Sequence, residues 1–324
     1  MRRTASERLE TIRMVEESDL SARSTLRHLG VARSTFYDWY KRFVDDGPDG
    51  LEDNKPTKRR HWNRVPQAVK DDILALALKR TDLSARELAV TYTDDNGYFV
   101  SESTVYRLLK AHDLITSPAY ILLSAKDAFE NPTQRVHELW QTDFTHFRIV
   151  GWGWYYLSTV LDDFSRYIIA WKLSPTMATT DVKETLDAAI DASGVDQVQV
   201  HHRPRLLSDN GPAYVSSELR SYLEGRGMTH TRGAPYHPMT QGKIERYHRS
   251  MKNVVKLENY YFPGQLEEAL TEFVDYYNNR RFHESLNNVT PADVYFGRHH
   301  EIVSKRQRIK RLTMRNRKRE NLAA

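Results

Sequence analysis

The chain has 324 residues, with 48 basic and 43 acidic side chains, 40% apolar residues and no cysteine. That length accommodates two or three domains, and the absence of cysteine excludes disulfide frameworks, iron–sulfur ligation and cysteine-held zinc, leaving oxygen or imidazole as metal donors. No apolar run reaches the roughly 18–20 residues of a membrane span, and the opening MRRTASERLE lacks the apolar stretch of a signal peptide, so a cytoplasmic protein without a membrane partner is expected.

Charge is unevenly placed. Residues 301–320 carry nine Lys/Arg against two Glu, net +7, while the whole chain is only +5. A second knot, KPTKRRHWNR at residues 55–64, holds five basic residues including Arg59 and Arg60, and no acid. Two basic, flexible segments on a near-neutral body suggest a polyanion partner, because Lys and Arg at phosphates release counterions. A purely solubilising tail is the competing reading.

Residues 20–43, LSARSTLRHLGVARSTFYDWYKRF, read as a helix, a tight turn at Gly30 and a second helix, with Ser21 as N-cap. Phe36, Trp39 and Phe43 recur at helical spacing and form the buried stripe. Arg33, Ser34, Thr35, Tyr37 and Lys41 are left outward, mostly near the N-terminal end of the second helix. A helix-turn-helix presents donors to base edges in this way, although a three-helix bundle serving protein contacts would share the pattern.

The pattern recurs. LSAR returns at residues 83–86, and STFY at 34–37 returns as STVY at 103–106, with about six extra residues that fit the polar, turn-forming TDDNGY at 93–98. Val105, Leu108 and Leu109 form the expected core face of the second copy. Ser101, Ser103, Thr104, Arg107 and Lys110 point outward.

After Pro118 the pattern changes to a connector and, from Leu139, to strands. Three aromatic and β-branched runs with short connections predict an antiparallel meander, and Trp152, Trp154 and Trp171 within them read as packing residues. A helix over 181–192 follows, with Val182, Leu186, Ala189 and Ile190 on one stripe. Then come a short strand ending at Asp209, a turn at Asn210 and Gly211, a helix over 216–224, a strand in MTHTRG and a long helix over 240–257. This order predicts a mixed sheet flanked by helices.

Asp143 lies mid-strand, Asp209 ends the fourth strand and Glu245 sits on the long helix. If the fourth strand neighbours the first, Asp143 and Asp209 face one cleft. On a helical wheel Ile244, Tyr247, Met251, Val254 and Val255 form the apolar stripe, and Glu245, His248, Arg249 and Lys252 the opposite face. Lys243 precedes them, and together these cations are phosphate-contact candidates. Clustered carboxylates repel one another unless a cation neutralises them, which a divalent metal does. His201–His202 and His299–His300 lack metal-ligand spacing and read as surface or phosphate contacts, while Tyr236 and His237 line either a DNA path or a plain loop.

The motifs QTDFTHF, LDDFSR, SDNGPAY and PYHPMTQGKIERYHRSMK, with 35 residues between Asp209 and Glu245, resemble the DDE catalytic core of insertion-sequence transposases related to retroviral integrases, nearest the insertion-sequence-three group. YYNNRRFHESLNNVTPADVY resembles the end of that core, and the likeness covers about residues 139–297. It implies a ribonuclease-H-like, mixed five-stranded α/β core behind all-α helix-turn-helix modules. It also implies Asp143, Asp209 and Glu245 as catalytic ligands of two Mg²⁺ ions, with Mn²⁺ as substitute. The partners implied are double-stranded DNA, both element ends and target, and further copies of the chain, in the cytoplasm at the nucleoid. Lacking cysteine, the chain has no zinc-binding His/Cys module of the integrase kind, which favours the bacterial branch.

The expected organisation is a DNA-binding module at 1–50, a basic linker at 51–65, a second helix-turn-helix-like module at 66–118, a connector at 119–137, the catalytic core at 138–298 and a basic tail at 299–324. Two other classes share some of these features. A DNA-binding regulator derived from a transposase has no reason to gather three acids near phosphates, and a nuclease of the same fold needs no tandem helix-turn-helix units.

Overall fold

The computed structural model describes residues 4–18, 20–52, 62–115, 133–196, 203–233 and 242–323. Arg59 and Arg60, His201 and His202, and Tyr236 and His237 lie outside the described residues. The chain divides into two compact units, residues 1–64 and 65–324.

In the first unit, α1 (Ala5–Glu16), α2 (Ala22–His28) and α3 (Arg33–Asp46) are followed by a 3₁₀ turn at Gly47–Leu51. Ser21 caps α2 by accepting the Ser24 N–H, and Gly30 takes φ +64° at the turn, a conformation that costs glycine least. Ile12, Leu26, Phe36 and Leu51 are buried, with Trp39 and Phe43 packed against them. Helix α1 adds the third wall that the hairpin reading omits, fastened by a capping box between Thr4 and Glu7. Arg8, buried beside it, donates to the Leu51 carbonyl at 2.8 Å and so ties the first helix to the last turn.

The second unit opens with the repeat of that design: α4 (Gln67–Lys79), α5 (Ala85–Asn96) and α6 (Glu102–Ala111) around Ile73, Leu88, Tyr92, Val105 and Leu109. Ser84 caps α5 as Ser21 caps α2, here in a capping box with Glu87. The six extra residues do not form the turn expected of TDDNGY. Thr93 to Asn96 complete the last turn of α5, where the Thr93 hydroxyl donates to the Ala89 carbonyl, and Gly97 alone reverses the chain at φ +61°.

The α/β part has five strands in the order β3-β2-β1-β4-β5: β1 (Leu139–Ile149), β2 (Gly153–Asp162), β3 (Ile168–Ser174), β4 (Arg205–Ser208) and β5 (His230–Arg232). The first three form the antiparallel meander, while β4 pairs parallel to β1 and β5 parallel to β4. Alternation along each strand divides the core into two layers. Trp140 and Val160 face α7 (Thr179–Ser193), α8 (Pro212–Val215) and α9 (Ser217–Gly225), packing with Val182, Leu186, Leu219 and Leu223. Phe147, Ile149, Leu157 and Leu161 face the other way, against α10 (Gly242–Val255) and α11 (Pro263–Asn279) through Ile244, Tyr247, Met251, Leu270 and Phe273. Each fully buried leucine in these layers stabilises the fold by about 1.5–3 kcal/mol.

Helix α11, not anticipated from the sequence, thus supplies much of one layer. The short α12 (Pro291–Tyr295) leads to α13 (His299–Ala323). The expectation of a flexible basic tail from residue 299 is therefore corrected, since those residues form a 25-residue helix with one face buried. Trp152 and Trp154 are corrected too. They sit at the β1–β2 turn with about half their surface exposed, and only Trp171 packs against the core. Among the described residues, no helix is long and apolar enough to cross a membrane.

Candidate active site

Pairing in β1 and β4 sets the two strand acids level. Gln141 pairs with Leu207, so Asp143 and Asp209 each lie two residues past the same rung of adjacent parallel strands. The Asp143 carboxylate accepts the Phe144 N–H at 2.9 Å, and that of Asp209 accepts the Gly211 N–H at 2.9 Å. Burial pushes Asp209 above its ordinary range, the Gly211 bond opposes this, and the negative charge of Asp143 pushes it further up. Behind the pair, the wholly buried Tyr214 hydroxyl reaches Thr142 at 3.5 Å, and its own ionisation is driven well up, first by burial and then by both carboxylates.

Glu245 comes from the first turn of α10 and is exposed. It lines a cavity of about 400 Å³ together with Asp143, Thr145, His248, Arg249 and Lys252. Asp143 is common to the strand pair and to this cavity, yet among the described residues no group of three His, Asp or Glu stands close enough to hold a metal ion as it is. The donor set is nonetheless suited to a hard cation, since it consists of carboxylate oxygens, two of them in mutual repulsion. The nearest lysine in sequence, Lys243, does not neutralise them, because its charge is spent on another acid.

That lysine corrects the sequence reading. Lys243 does not project as a phosphate contact, because it is buried with its Nζ 2.6 Å from Asp163 Oδ2 and donating to the Asp163 carbonyl at 3.0 Å. Gln141 joins the same network, donating to Asp163 at 2.7 Å and accepting the Ile244 N–H at 3.1 Å. The start of α10, and hence Glu245, is therefore bolted to β1 two residues before Asp143. Asp163 and Gln141 were not singled out by sequence. The signal was the polar QTD and DDF runs inside otherwise apolar strands, where buried polar groups need partners.

His248 is the second correction. It is 6% exposed, not on the outer face, with Nδ1 3.4 Å from Asp143 Oδ2 and, among the described residues, no hydrogen-bond partner for Nε2. Val254, assigned to the apolar stripe, is exposed in its stead, because α10 turns the His248 side toward Asp143. Arg249 and Lys252 do line the cavity. Burial lowers the Lys252 ammonium, neighbouring Lys256 lowers it further, and Asp143 acts in the opposite sense.

In the two helical modules, Arg33, Ser34, Thr35, Tyr37 and Lys41 are all exposed on α3, as the wheel requires. On α6, Ser103, Arg107 and Lys110 are exposed. Thr104 is half-buried with its hydroxyl 2.9 Å from Ser101 Oγ, and Arg107 donates to the Ser103 carbonyl of its own helix.

Models of the integrase core domain match residues 133–238 and 226–291, and models of a homeodomain-like domain match residues 2–52 and 35–109. The chain is 31% identical over 162 residues to the transposase for insertion sequence element IS629 of Shigella sonnei, a match covering 49% of this chain and 52% of that protein. It is 28% identical over 160 residues to the putative transposase InsK for insertion sequence element IS150 of Escherichia coli K12, covering 49% and 54%. The chain thus spans about half the length of the curated relatives it matches. Among solved structures, the HTLV-2 integrase catalytic core domain in complex with magnesium aligns at 20% identity and a TM-score of 0.40, covering 50% of this chain and 97% of that one.

Proposed function

We propose that this chain, which carries an integrase core domain behind homeodomain-like domains and is similar to insertion-sequence transposases, is the transposase of a bacterial insertion sequence. It binds the ends of its element and a target duplex, and catalyses DNA cleavage and strand transfer at Asp143, Asp209 and Glu245. The observation that carries this reading is the level placement of Asp143 and Asp209 on parallel neighbours, with Glu245 opening into the same cavity as Asp143.

Asp143, Asp209 and Glu245 are the residues that would hold two Mg²⁺ ions, or Mn²⁺ in their place. Bound there, such ions would activate an attacking water or 3′-hydroxyl and stabilise the departing oxygen of an in-line displacement. The chain's own residues do the positioning. The Asp163–Lys243–Gln141 network fixes the start of α10 against β1, so that Glu245 is presented to the strand acids. Arg249 and Lys252, on the cavity wall, hold the phosphates of the reacting strand. Helices α3 and α6 read sequence in the major groove with Arg33, Ser34, Thr35, Tyr37, Lys41, Ser103 and Arg107, and Thr104 supports the start of α6. The protein acts as a homo-oligomer on DNA, at the nucleoid.

The test is a labelled duplex carrying the DNA that flanks the coding sequence, incubated with protein and Mg²⁺, with binding, cleavage and joining read from the same samples. Glu245→Gln keeps the side-chain volume but removes a charged ligand, so cleavage and joining should fall together while binding persists. Ca²⁺, with looser coordination, should permit binding and stall cleavage. Wild-type cleavage by Glu245→Gln would refute the acid assignment. Binding without cleavage under any divalent metal would favour a DNA-binding regulator derived from a transposase.

A further inference from the structure

Helix α13 divides eight of its nine Lys and Arg residues between two tasks. On one face Arg306 donates from Nε to both Asp94 oxygens, at 2.8 and 3.1 Å, and from Nη1 to the Asn288 carbonyl at 2.6 Å. It thereby pins α5 of the second helical module to the end of the catalytic core. Two turns further on, Thr313 Oγ1 accepts the Phe99 N–H at 3.0 Å, and between them Lys310 lies 5.0 Å from the centre of the Phe99 ring. Arg317, buried, donates to the Tyr98 hydroxyl at 2.7 Å and stacks over that ring at 4.7 Å. The contacts of Lys310, Thr313 and Arg317 all fall on the segment that leads into α6.

The opposite face carries Arg308, Arg311, Arg315, Lys318 and Arg319, all exposed. At about 100° per residue they occupy a stripe roughly 100° wide, and at about 1.5 Å per residue they extend over about 16 Å. Among the described residues none of the five has an acidic partner. Four guanidiniums and one ammonium in a row, on a helix already held rigid, match the spaced phosphates of a duplex, which guanidinium forks bind bidentately. A membrane is a poor match, because the side of α13 that carries Ile302, Thr313 and Arg317 is turned inward and is not free to insert.

We propose that α13 is a docked arm that grips the backbone of duplex DNA, and that its grip depends on the anchor formed by Arg306, Thr313 and Arg317. This deepens the reading above by assigning a DNA-binding surface outside both the cavity and the recognition helices, and it rests on that reading only for the choice of DNA as ligand. The helix touches phosphates, so it carries affinity and no sequence choice. A floating tail of the same composition would also attract DNA, but it would have to be ordered on binding, whereas the docked helix is ordered beforehand.

The full chain is titrated into a fluorescent random-sequence duplex without divalent metal, over a range of salt. Replacing Arg308, Arg311 and Arg315 together by Gln should weaken binding at least tenfold at low salt. It should also reduce the slope of log affinity on log salt by about 2.7, at roughly 0.9 for each of three phosphates that are no longer neutralised. Asp94→Ala, which keeps every basic residue but removes the anchor's carboxylate, should weaken binding about threefold or more. Thr313→Val, a milder break in the same anchor, should act in the same direction. Wild-type binding by the triple variant overturns the arm. Weak binding by the triple variant with wild-type binding by both Asp94→Ala and Thr313→Val makes residues 299–323 a tail whose docking is irrelevant, and overturns the proposal equally. Failure of cleavage in the wild type, with these binding differences intact, would count against the transposase reading alone.

Discussion

Lys243 and Asp163 form a buried ion pair, 2.6 Å between Nζ and Oδ2, two residues before Glu245 in sequence and at the point where β2 ends. A cation at a helix N-terminus opposes the helix dipole, and an ammonium out of water is costly, so the pair persists only because Gln141, Thr133 and the Asp163 carbonyl complete its hydrogen bonds. Removing one partner leaves the other charge buried. Asp163→Ala should therefore cost about 3–5 kcal/mol in urea denaturation, and the remaining folded protein should cut poorly because the start of α10 is released. A loss below about 1 kcal/mol would mean that water reaches Lys243.

Arg33 stands at the first position of α3 and is exposed. Its guanidinium is free to bridge a base edge, so Arg33→Ala should lose about 1–3 kcal/mol on the element's own end and little on random duplex. Footprints of the two proteins would show the difference. Equal losses on both substrates would make Arg33 a phosphate contact.

His283 supplies a pH dependence. Burial, reinforced by the positive charges of Arg281 and Arg166, pushes it down to about 3, and its buried Nε2 has no hydrogen-bond partner among the described residues. The folded protein keeps the ring neutral, whereas the unfolded chain takes up a proton below about pH 6.5. The unfolded state thus binds more protons between about pH 6.5 and 3, and stability falls as pH drops through that window. His283→Phe retains a ring against Tyr277 and cannot titrate, so its urea midpoint should fall less than the wild type's between about pH 7.5 and 5. Parallel decreases would assign the acid sensitivity to other groups.

The antiparallel meander, the alternation of later strands and helices and the paired helical modules were legible because each rests on local periodicity: alternation in the strands, 3.6-residue stripes in the helices, and a Ser cap at position 21. That β4 lies beside β1 and levels Asp143 with Asp209 entered only as a condition, because strand adjacency is a tertiary contact. The misreadings arose where tertiary contact overrides a local signal. A wheel places His248 outside, but it cannot show that β1 brings Asp143 against it. Nine basic residues suggest a solvated tail, but nothing local reveals that Asp94, 212 residues away, accepts one of them. Likewise tryptophans in an aromatic, β-branched run are expected inside, but Trp152 falls in the β1–β2 turn and Trp154 beside it, where about half of each side chain is exposed.

Gly211 gives the sharpest test of how tightly Asp209 is held. Its backbone angles, φ −60° and ψ 152°, suit any residue, so glycine is not required for conformation. Space is the constraint, since a Cβ at this position would meet Asp209 Oδ1 at 3.0 Å and Tyr214 Cδ2 at 3.5 Å. The contact with Tyr214 is an ordinary one, whereas the 3.0 Å approach requires the Asp209 carboxylate to give by a few tenths of an ångström, disturbing the oxygen that accepts the Gly211 N–H. A displacement of even part of an ångström in a reacting group lowers rates steeply. Gly211→Ala should therefore reduce end cleavage roughly 10- to 100-fold while the urea midpoint and the affinity for the element's end stay near wild type. Cleavage assays with pre-cut and uncut ends, run beside denaturation of the same preparations, distinguish the cases. If the variant unfolds early, the defect is packing around Tyr214. If it cuts as the wild type does, the Asp209 carboxylate is free to swing, and its bond to Gly211 does not orient it for catalysis.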